Sequence, residues 1–270
     1  MPEGHTLFRL AAELDDAFRG QSLRVSSPQG RFAEGAAGID GQVMTGAESA
    51  GKHVFLRFDG GEIVHVHLGL IGAFSFGRVP APPPVGAVRL RLEGDPWYAD
   101  LRGAMVCELV SQDQVDEVVG KLGPDPLRAD ADPERAFHRI HRSAKPIGAL
   151  LMDQTVLSGV GNVFRAEVLF RARLNPLVPG NKVSKRRWNA MWDDLVQLME
   201  YGVRTGRIDT VRPEHEPEAM GRPARVDDHG GEVYVYRRDG RPCHVCGSTV
   251  RTRLLEGRNL FWCPTCQRRR

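Results

Sequence analysis

Apolar residues near the start of the chain repeat with the period of a helix. Five of them are spaced as i, i+3, i+4, i+7 and i+11: Leu7, Leu10, Ala11, Leu14 and Phe18. This spacing places their side chains on one face of an amphipathic helix. Gly20 follows the last of them, and glycine commonly ends a helix. The pattern predicts a first helix that ends near Gly20 and has Pro2 and Glu3 at its N-terminus.

From residue 42 to about residue 109, apolar and polar residues alternate, which is the period of a strand. The stretch HVFLRFDGGEIVHVHLG predicts two strands joined at Asp59-Gly60-Gly61, and AVRLRLEG and AMVCEL continue the pattern. VPAPPPVGA, at residues 79–87, predicts a stiff surface loop. Several short antiparallel strands behind one helix favour a β-sandwich over a βαβ nucleotide-binding fold.

The period changes after the Pro- and Asp-rich stretch KLGPDPLRADADPE. Beyond it the sequence predicts helices over residues 133–142, 146–153, 162–172 and 184–204. Residues 211–232 are charged, contain several Pro and Gly residues and show no period, so we interpret them as a long connection. These changes predict three domains, at residues 1–113, 125–210 and 233–270.

The last predicted domain contains four cysteines in two CxxC pairs separated by sixteen residues: Cys243, Cys246, Cys263 and Cys266. This spacing is typical of a zinc ribbon, in which four thiolates close the shell of one structural Zn²⁺ and leave no open position for chemistry. Disulfides are the alternative. Between the pairs, STVRTRLLEGRNLFW predicts a β-hairpin with Arg258 just after its turn. Cys107 lies alone in an apolar run and is interpreted as core packing.

The net charge of +3 is unevenly distributed. Residues 237–270 contain nine arginines against Asp239 and Glu256, a balance of 9 − 2 = +7, so the rest of the chain carries 3 − 7 = −4. A basic module on a mildly acidic body indicates an anionic polymer as partner, although a solubilising tail would also explain Arg268, Arg269 and Arg270. No apolar run reaches the length of a membrane span, and MPEGHT is too polar for a secretory signal. We therefore expect a cytoplasmic protein without a membrane partner.

Three further features allow a structural and a chemical interpretation. Proline is favoured at the first position of a helix, but removal of the initiator methionine would also turn Pro2 into a nucleophilic secondary amine beside Glu3, a proton carrier. Asn162, behind Gly159 and Gly161, is either a plain N-cap or part of a phosphate site at a helix start. His65 and His67 share a strand face; packed or surface histidines are favoured over a metal site because no third ligand has a suitable spacing.

Several motifs now occur in the order of one known family: PEG at the N-terminus, GK before a strand, LLMDQ followed by GVGN, and the C-terminal GRN, FWC and CQ. On these motifs the chain resembles the formamidopyrimidine-DNA glycosylase and endonuclease VIII family over nearly its whole length. The resemblance implies a multidomain α+β fold: an N-terminal β-sandwich with flanking helices, a helical helix-two-turn-helix domain and a C-terminal β-hairpin zinc finger. It implies double-stranded DNA with damaged bases or abasic sites as partner.

The resemblance also implies roles for individual residues. Pro2 corresponds to the Schiff-base nucleophile and Glu3 to its proton partner. Lys52 corresponds to the lysine that contacts the DNA backbone and donates a proton in β-elimination. Asn162 corresponds to an asparagine that grips phosphate, and Arg258 to the finger arginine that contacts phosphate and acts in δ-elimination.

Two more residues are implied to act on the DNA after the damaged nucleotide has been flipped out. Leu70 corresponds to the wedge that fills the gap, with ordinary core packing as its alternative, and Arg102 to a residue that reaches the opposite base. PEG favours endonuclease VIII and oxidised pyrimidines, whereas Thr6 stands where both branches commonly carry glutamate. The resemblance implies a bifunctional glycosylase and abasic-site lyase of base excision repair, acting as a monomer and near the nucleoid if the organism is bacterial. A formamidopyrimidine- or 8-oxoguanine-type glycosylase and a non-catalytic DNA-binding protein are the alternatives.

Overall fold

The computed structural model describes residues 2–226 and 231–268. Met1 and Arg269–Arg270, which enter the predictions on methionine removal and on a basic tail, lie outside these residues, as does part of the long connection. The chain divides into two compact units, Met1–Lys121 and Leu122–Arg270. No helix in the described part of the chain combines the length and apolar character needed to cross a membrane.

In the N-terminal unit, residues 2–121 form three helices and eight strands. The helices are α1 (Gly4–Phe18), α2 (Ala33–Ile39) and α3 (Gln112–Lys121). The strands are β1 (Arg24–Ser26), β2 (Met44–Ala50), β3 (His53–Phe58), β4 (Ile63–His67), β5 (Ala73–Arg78), β6 (Val88–Glu93), β7 (Trp97–Arg102) and β8 (Val106–Val110). The predicted first helix and the predicted hairpin at residues 53–67 are confirmed.

These strands form two antiparallel four-stranded sheets, in the orders β1-β6-β7-β5 and β2-β3-β4-β8. The inward-facing residues of both sheets and the apolar face of α1 share one core, which includes Leu14, Leu56 and Leu101. Cys107 belongs to that core, and burial raises the pKa of its thiol to about 12, so its predicted packing role is confirmed. The alternation of the sequence thus produces the predicted β-sandwich, because each strand has one buried face.

Among residues 122–226 and 231–268, the C-terminal unit has five α-helices and one two-stranded ribbon. The helices are α4 (Pro133–His141), α5 (Ile147–Leu150), α6 (Asn162–Arg171), α7 (Lys185–Thr205) and α8 (Pro217–Met220). The ribbon pairs β9 (Arg251–Leu255) with β10 (Arg258–Trp262), and Glu256 and Gly257 form its turn at positive φ. Three of the four predicted helices match to within one residue at each end, whereas α5 is a single turn rather than the predicted 146–153.

The finger and the helices of this unit share one core. Residues 233–236, just before the first cysteine pair, are buried in the same apolar cluster as Phe164 of α6 and Trp188 of α7. A buried carboxylate, Glu167, holds this segment: it accepts hydrogen bonds from the backbone N–H groups of residues 234, 235 and 236, at 2.7–2.8 Å, and from the Thr210 hydroxyl at 2.6 Å. The division of this unit into domains at 125–210 and 233–270 stays a prediction.

The connection over residues 211–232 contains local structure where it is described. A 3₁₀ turn covers Pro213–His215, and α8 follows it directly. Near the end of the connection, the Glu232 carboxylate pairs with the Arg222 guanidinium at 2.7 Å and accepts a hydrogen bond from the Arg225 backbone N–H. Polar side chains rather than an apolar period therefore organise this segment, which is why its pattern predicted no elements.

Candidate functional site

The N-terminal candidate pair lies just outside α1. Glu3 is the N-cap, with extended backbone, and its carboxylate accepts a hydrogen bond from the Thr6 backbone N–H. Pro2 precedes the cap and is half-buried, while Glu3 is fully buried. Because α1 begins at Gly4, Pro2 does not occupy the first helical position, where proline is favoured for its missing N–H. That structural explanation of the proline therefore does not apply.

Thr6, which departs from the family pattern, completes the capping arrangement. Its hydroxyl oxygen lies 3.5 Å from the Glu3 backbone nitrogen and accepts from it, so Glu3 and Thr6 bond each other reciprocally. The Thr6 hydroxyl also lies 3.3 Å from Nε2 of His5. Burial lowers the pKa of His5 to about 4, so this imidazole is neutral at pH 7. His5 was not predicted as a functional residue, and its position in the motif MPEGHT was the only signal in the sequence.

Lys52 lies in the tight turn between β2 and β3, after Gly51 at φ +58°. Helix α1 runs antiparallel to β2: the Arg19 guanidinium donates to the Thr45 carbonyl at 3.0 Å, and the Asp15 carboxylate accepts from the Ala47 N–H at 2.9 Å.

These two bonds fix the alignment of α1 with β2, so the position of the start of α1 relative to the end of β2 can be estimated. Eleven helical steps, from Asp15 back to Gly4, rise about 16 Å. Three strand steps, from Ala47 on to Ala50, rise about 10 Å, and the Gly51-Lys52 turn follows at that end of the strand. The two elements therefore bring Glu3 and Lys52 to the same end of the helix–strand pair.

Next to this turn, three histidines from two neighbouring strands contact one another. Nδ1 of His53 and Nε2 of His65 are 2.8 Å apart, and the rings of His53 and His67 meet edge to face at 4.9 Å. Nδ1 of His65 lies 3.4 Å from the Glu108 carboxylate. Burial, with the nearby His67, His65 and Lys52, lowers the pKa of His53 to about 3.

No metal-ligating cluster of three or more residues includes these histidines in the part of the chain that the structure describes. The interpretation as packed histidines is therefore favoured over a metal site. The spacing of His65 and His67 predicts that they share a strand face, whereas His53 reaches them only through strand pairing, which the sequence does not show.

The proposed wedge residue belongs to an exposed apolar patch. Leu70 is 55% exposed, its neighbour Ile71 83% and Met105 64%. The loop that contains Gly69, Leu70 and Ile71 packs against the loop that contains Met105. A Cβ atom built on Gly69 would lie only 3.0 Å from Cβ of Met105, and Gly69 has φ +70°. Core packing, the alternative considered for Leu70, is wrong. Ile71 and Met105 were not predicted, because the sequence alone does not show which apolar residues are exposed.

Arg102 is held by two acceptors of its own sheet and one in the loop at residues 79–87. Its guanidinium donates to the Asp100 carboxylate at 2.9 Å, the Ser75 hydroxyl at 2.8 Å and the Val85 carbonyl at 3.1 Å. Asp100 is also bound by both ends of the Arg91 guanidinium, at 2.6 and 2.8 Å. In this arrangement Arg102 stabilises the sheet, and its contact with an opposite base stays a prediction that requires these bonds to rearrange.

In the C-terminal unit, the start of α6 contacts β10, the strand that begins at Arg258. Asn162 Nδ2 donates to the backbone carbonyl of Asn259 at 3.0 Å, and Asn259 follows Arg258 on β10. The interpretation of Asn162 as N-cap is wrong: Gly161 is the N-cap, and Asn162 is the buried first residue of α6. Buried Arg165 braces the pair, donating to the Asn162 side-chain oxygen and to the Asn259 carbonyl. Arg258 itself is exposed.

The four cysteines of the finger converge as their spacing predicts. Their sulfur atoms all lie within 4.8 Å of one another, with 3.9 Å between Cys243 and Cys266 and 3.4 Å between Cys246 and Cys263. All four are free thiols, so the disulfide alternative is wrong for this structure. Tetrahedral zinc with bonds of about 2.3 Å separates its sulfur ligands by about 3.8 Å. The residues therefore fit one metal ion with a closed shell of four thiolates.

Two family models match the chain. The formamidopyrimidine-DNA glycosylase N-terminal domain matches residues 1–107, and the formamidopyrimidine-DNA glycosylase H2TH domain matches residues 122–213. The solved structures of similar fold include a Lactococcus lactis formamidopyrimidine-DNA glycosylase bound to abasic-site DNA, with a TM-score of 0.79 at 21% identity, covering 99% of this chain and all of that one. At that identity the likeness shows the fold.

Curated relatives cover the same length. Endonuclease 8 1 of Mycobacterium tuberculosis is 52% identical over 271 residues, which is 99% of this chain and all of the relative. The formamidopyrimidine-DNA glycosylase of Thermus thermophilus is 30% identical over 99% of this chain and 98% of that protein. The chain therefore belongs to the formamidopyrimidine-DNA glycosylase and endonuclease VIII family and is closer to endonuclease VIII.

Proposed function

We propose that this enzyme excises oxidised pyrimidines from double-stranded DNA through a Schiff base on Pro2 and cleaves the strand by β,δ-elimination. As a member of its family, the chain is a DNA glycosylase of base excision repair with abasic-site lyase activity. This membership decides against a non-catalytic DNA-binding protein. The observation that carries the proposed chemistry is the position of Pro2, outside the helix and directly beside the buried N-cap Glu3.

Removal of Met1 would leave the Pro2 nitrogen as a secondary amine. An α-amino group has a reference pKa of about 7.7–8.0, against about 10.4 for lysine, so a far larger fraction of it is unprotonated near neutral pH, and the positive end of α1 favours the neutral form further. This nitrogen forms a bond to C1′ of the damaged nucleotide while the bond from C1′ to the base breaks. The base takes the bonding electrons and a proton.

Opening of the sugar ring breaks the C1′–O4′ bond: O4′ takes the bonding electrons and a proton, and the nitrogen lone pair forms the C=N⁺ bond of an iminium. A secondary amine gives this cation without protonation of its nitrogen. The iminium acidifies the C2′ proton, and loss of that proton expels the 3′ phosphate. Glu3 is the proton carrier for the first step, held at the helix start by its bond to the Thr6 N–H. Lys52, at the same end of α1 and β2, is the candidate proton donor for the elimination.

The DNA contacts divide between the two units. In the N-terminal unit, Leu70 enters the gap left by the flipped nucleotide, and Ile71 and Met105 extend the same apolar patch against the bases. In the C-terminal unit, Asn162 and Arg258 bind phosphate, and Arg258 also serves the second elimination. The brace from Arg165 supports this assignment, because a phosphate site needs donors in fixed positions.

The metal is proposed to be one structural Zn²⁺. Four thiolates in CxxC pairs are the donor set that structural zinc prefers, and they leave no position for a water or a substrate. The chain's own residues supply the chemistry, while the metal fixes the base of the β9–β10 ribbon. We place the enzyme in the cytoplasm as a monomer, at the nucleoid if the organism is bacterial.

Borohydride reduction of the imine tests the proposal. Wild-type enzyme with a processed N-terminus should give a stable adduct with a duplex containing an abasic site, and the adduct mass should map to the Pro2 peptide. Pro2→Gly should trap less, since its primary amine is a poorer substitute, and enzyme that retains Met1 should not trap. Equal trapping with Met1 retained would overturn the assignment of Pro2.

Preference for oxidised pyrimidines is tested by comparing excision of an oxidised pyrimidine and of 8-oxoguanine from duplexes of one sequence. Faster release of the pyrimidine is the expected result. The reverse preference would place the enzyme with the 8-oxoguanine-type glycosylases and leave the Pro2 chemistry intact.

A further inference from the structure

A second cationic surface lies in the C-terminal unit, at the far end of α6 from Asn162. It is a groove of about 760 Å³, which we call the α7 groove, and it is lined by the end of α6, the turn at 180–182 and the start of α7. Its basic residues are Arg171, Lys182, Arg186, Arg187 and Arg212. The family match and the proposed chemistry give this groove no role.

The charge of the groove exceeds that of the whole chain. Its lining residues sum to 5 − 1 = +4, against +3 for all 270 residues. The single acid, Asp194, is already bound by Arg171 at 2.6 and 2.7 Å. Within residues 2–226 and 231–268, no carboxylate forms an ion pair with Lys182, Arg186 or Arg187. A concave surface of one sign focuses its field and attracts a polyanion.

The α7 groove also continues toward the cysteines of the finger. A neighbouring concavity of about 580 Å³ shares Lys182 and Arg187 with it and adds Arg173 and Arg268 beside the cysteine end of the finger. A bound Zn²⁺ with four thiolates would place two negative charges there, which leaves the combined surface positive. An open track with cations along its length fits a polymer of phosphates better than one small anion.

The α7 groove is separate from the proposed phosphate site at Asn162 and Arg258. Asn162 begins α6 and Arg171 ends it, so nine helical steps, about 14 Å, separate them. In the finger, Arg258 follows the hairpin tip, whereas Cys246 and Cys266 line the groove side at the opposite end of the ribbon.

We propose that the α7 groove binds the phosphate backbone of a second, undamaged segment of duplex DNA. Exposed arginines offer paired donors that match phosphate oxygens, and B-DNA presents about one negative charge every 1.7 Å. The first turn of α7 adds the partial positive charge of a helix N-terminus. An enzyme that holds a second segment can pass from one DNA stretch to another without full release.

The two ends of α7 provide a matched test. R186E/R187E reverses two exposed arginines in the groove, and R204E/R207E reverses two exposed arginines at the other end, one in the last turn of α7 and one just after its C-cap. Acidic residues are favourable in a first helical turn, so R186E/R187E should fold, and thermal melting checks this. Anisotropy of a labelled undamaged duplex of about 40 base pairs, titrated with NaCl, reports binding.

R186E/R187E should lose about tenfold in affinity for the undamaged duplex at 0.1 M salt, and its log–log salt slope should shrink by about two. R204E/R207E should resemble wild type. Wild-type enzyme saturated with a short abasic-site duplex should still bind the labelled duplex, and R186E/R187E should not. Equal binding by both double variants, or no second duplex on saturated wild type, would overturn the proposal.

This proposal is independent of the Pro2 chemistry. Both double variants should cleave the short abasic-site duplex at the wild-type rate, because the groove lies outside the catalytic residues. Absence of cleavage by the wild-type enzyme itself would count against the proposed function, whereas altered binding of undamaged DNA reports only on the groove.

Discussion

Helices α1 and α6 both begin at proposed DNA-contact residues, yet their first turns are built differently. The start of α1 is capped by residues close in sequence, because Glu3 and Thr6 form reciprocal hydrogen bonds. The start of α6 has a glycine at the N-cap and no side-chain cap bond. It is held instead by long-range contacts, from Asn162 and Arg165 to the Asn259 carbonyl of the finger.

This difference fits two different tasks. The local cap of α1 fixes the Glu3 carboxylate and leaves the adjacent Pro2 outside the helix. This position suits the proposed nucleophile, which must reach a substrate atom. Long-range bonds tie a helix to a ribbon, which suits a phosphate grip whose donors come from two elements. Substitutions at the start of α1 should therefore change chemistry more than stability, and those in α6 should do the reverse.

The largest effect is expected at Glu3. Glu3→Gln keeps the size of the side chain but removes the proposed proton carrier, so base excision should fall by about 10²- to 10⁴-fold. Stability should fall by no more than about 1 kcal/mol, the usual cost of weakening an N-cap. Single-turnover excision and thermal melting measure the two quantities.

Thr6→Ala is the matched control for this cap. It removes the hydroxyl that accepts the Glu3 N–H but keeps the carboxylate, so it should lose similar stability and retain most of its activity. If Thr6→Ala lost as much activity as Glu3→Gln, capping geometry rather than proton transfer would explain the effect of Glu3.

The second prediction concerns the buried carboxylate of α6. Glu167→Ala leaves three backbone N–H groups and the Thr210 hydroxyl without their acceptor in the core, so the unit should lose about 3–5 kcal/mol. Urea denaturation gives the free energy of unfolding. Glu200→Ala, at an exposed position of α7, should be close to neutral. Near-equal stability of the two variants would mean that Glu167 does not hold the finger to the helices.

The elements that the sequence predicted best depend on local patterns. Helix α1 follows from five apolar residues on one face, and the β3–β4 hairpin follows from alternation around Asp59-Gly60-Gly61. The convergence of the four cysteines follows from their spacing, because each CxxC turn delivers two thiolates at once. In each case the physical determinant lies within a few residues of the element it determines.

The missed features all depend on partners far apart in the chain. His53 meets His65 and His67 through strand pairing, and the segment held by Glu167 follows that residue by more than sixty positions. Asparagine is common at N-caps, so the sequence predicts Asn162 there, whereas a bond to Asn259, across 97 positions, determines its place. Sequence periodicity contains no information on such pairs.

The third prediction separates binding from chemistry in the finger. Cys263→Ser removes one of four thiolates, so the protein should lose its metal, and its affinity for duplex DNA should fall with it by about 10²-fold. Metal analysis and anisotropy measure the two losses. Cys107→Ser, in the other unit, should keep the metal. Normal DNA binding by metal-free protein would show that the ribbon does not need the ion to present Arg258.

The fourth prediction tests the proposed contact between Arg258 and a DNA phosphate. Arg258→Ala should remove one phosphate contact, lowering affinity to a similar degree for every lesion and reducing the log–log salt slope by about one. Arg253→Ala, on the neighbouring strand of the ribbon, controls for loss of charge alone. A lesion-dependent effect of Arg258→Ala would contradict a contact made to phosphate.

The smallest and most selective effect is expected at Leu70. Filling the gap left by a flipped nucleotide offsets an unstacking cost of a few kcal/mol, and that cost is least where the base is already missing. Leu70→Ala should therefore slow excision of an oxidised pyrimidine more than cleavage at a preformed abasic site, whereas Arg258→Ala should slow both alike. Because Leu70 is 55% exposed, its truncation should leave the melting temperature nearly unchanged.

Leu68→Ala, two residues earlier, is the control for ordinary packing. Leu68 is 3% exposed and belongs to the sandwich core, so its truncation should cost about 2–5 kcal/mol and lower both activities together through loss of folded enzyme. If Leu70→Ala behaved like Leu68→Ala, with lower melting and equal losses on both substrates, this leucine would stabilise the fold and not enter DNA. If it lost only excision of the intact lesion, the apolar patch would be the part of the N-terminal unit that opens the duplex for Pro2.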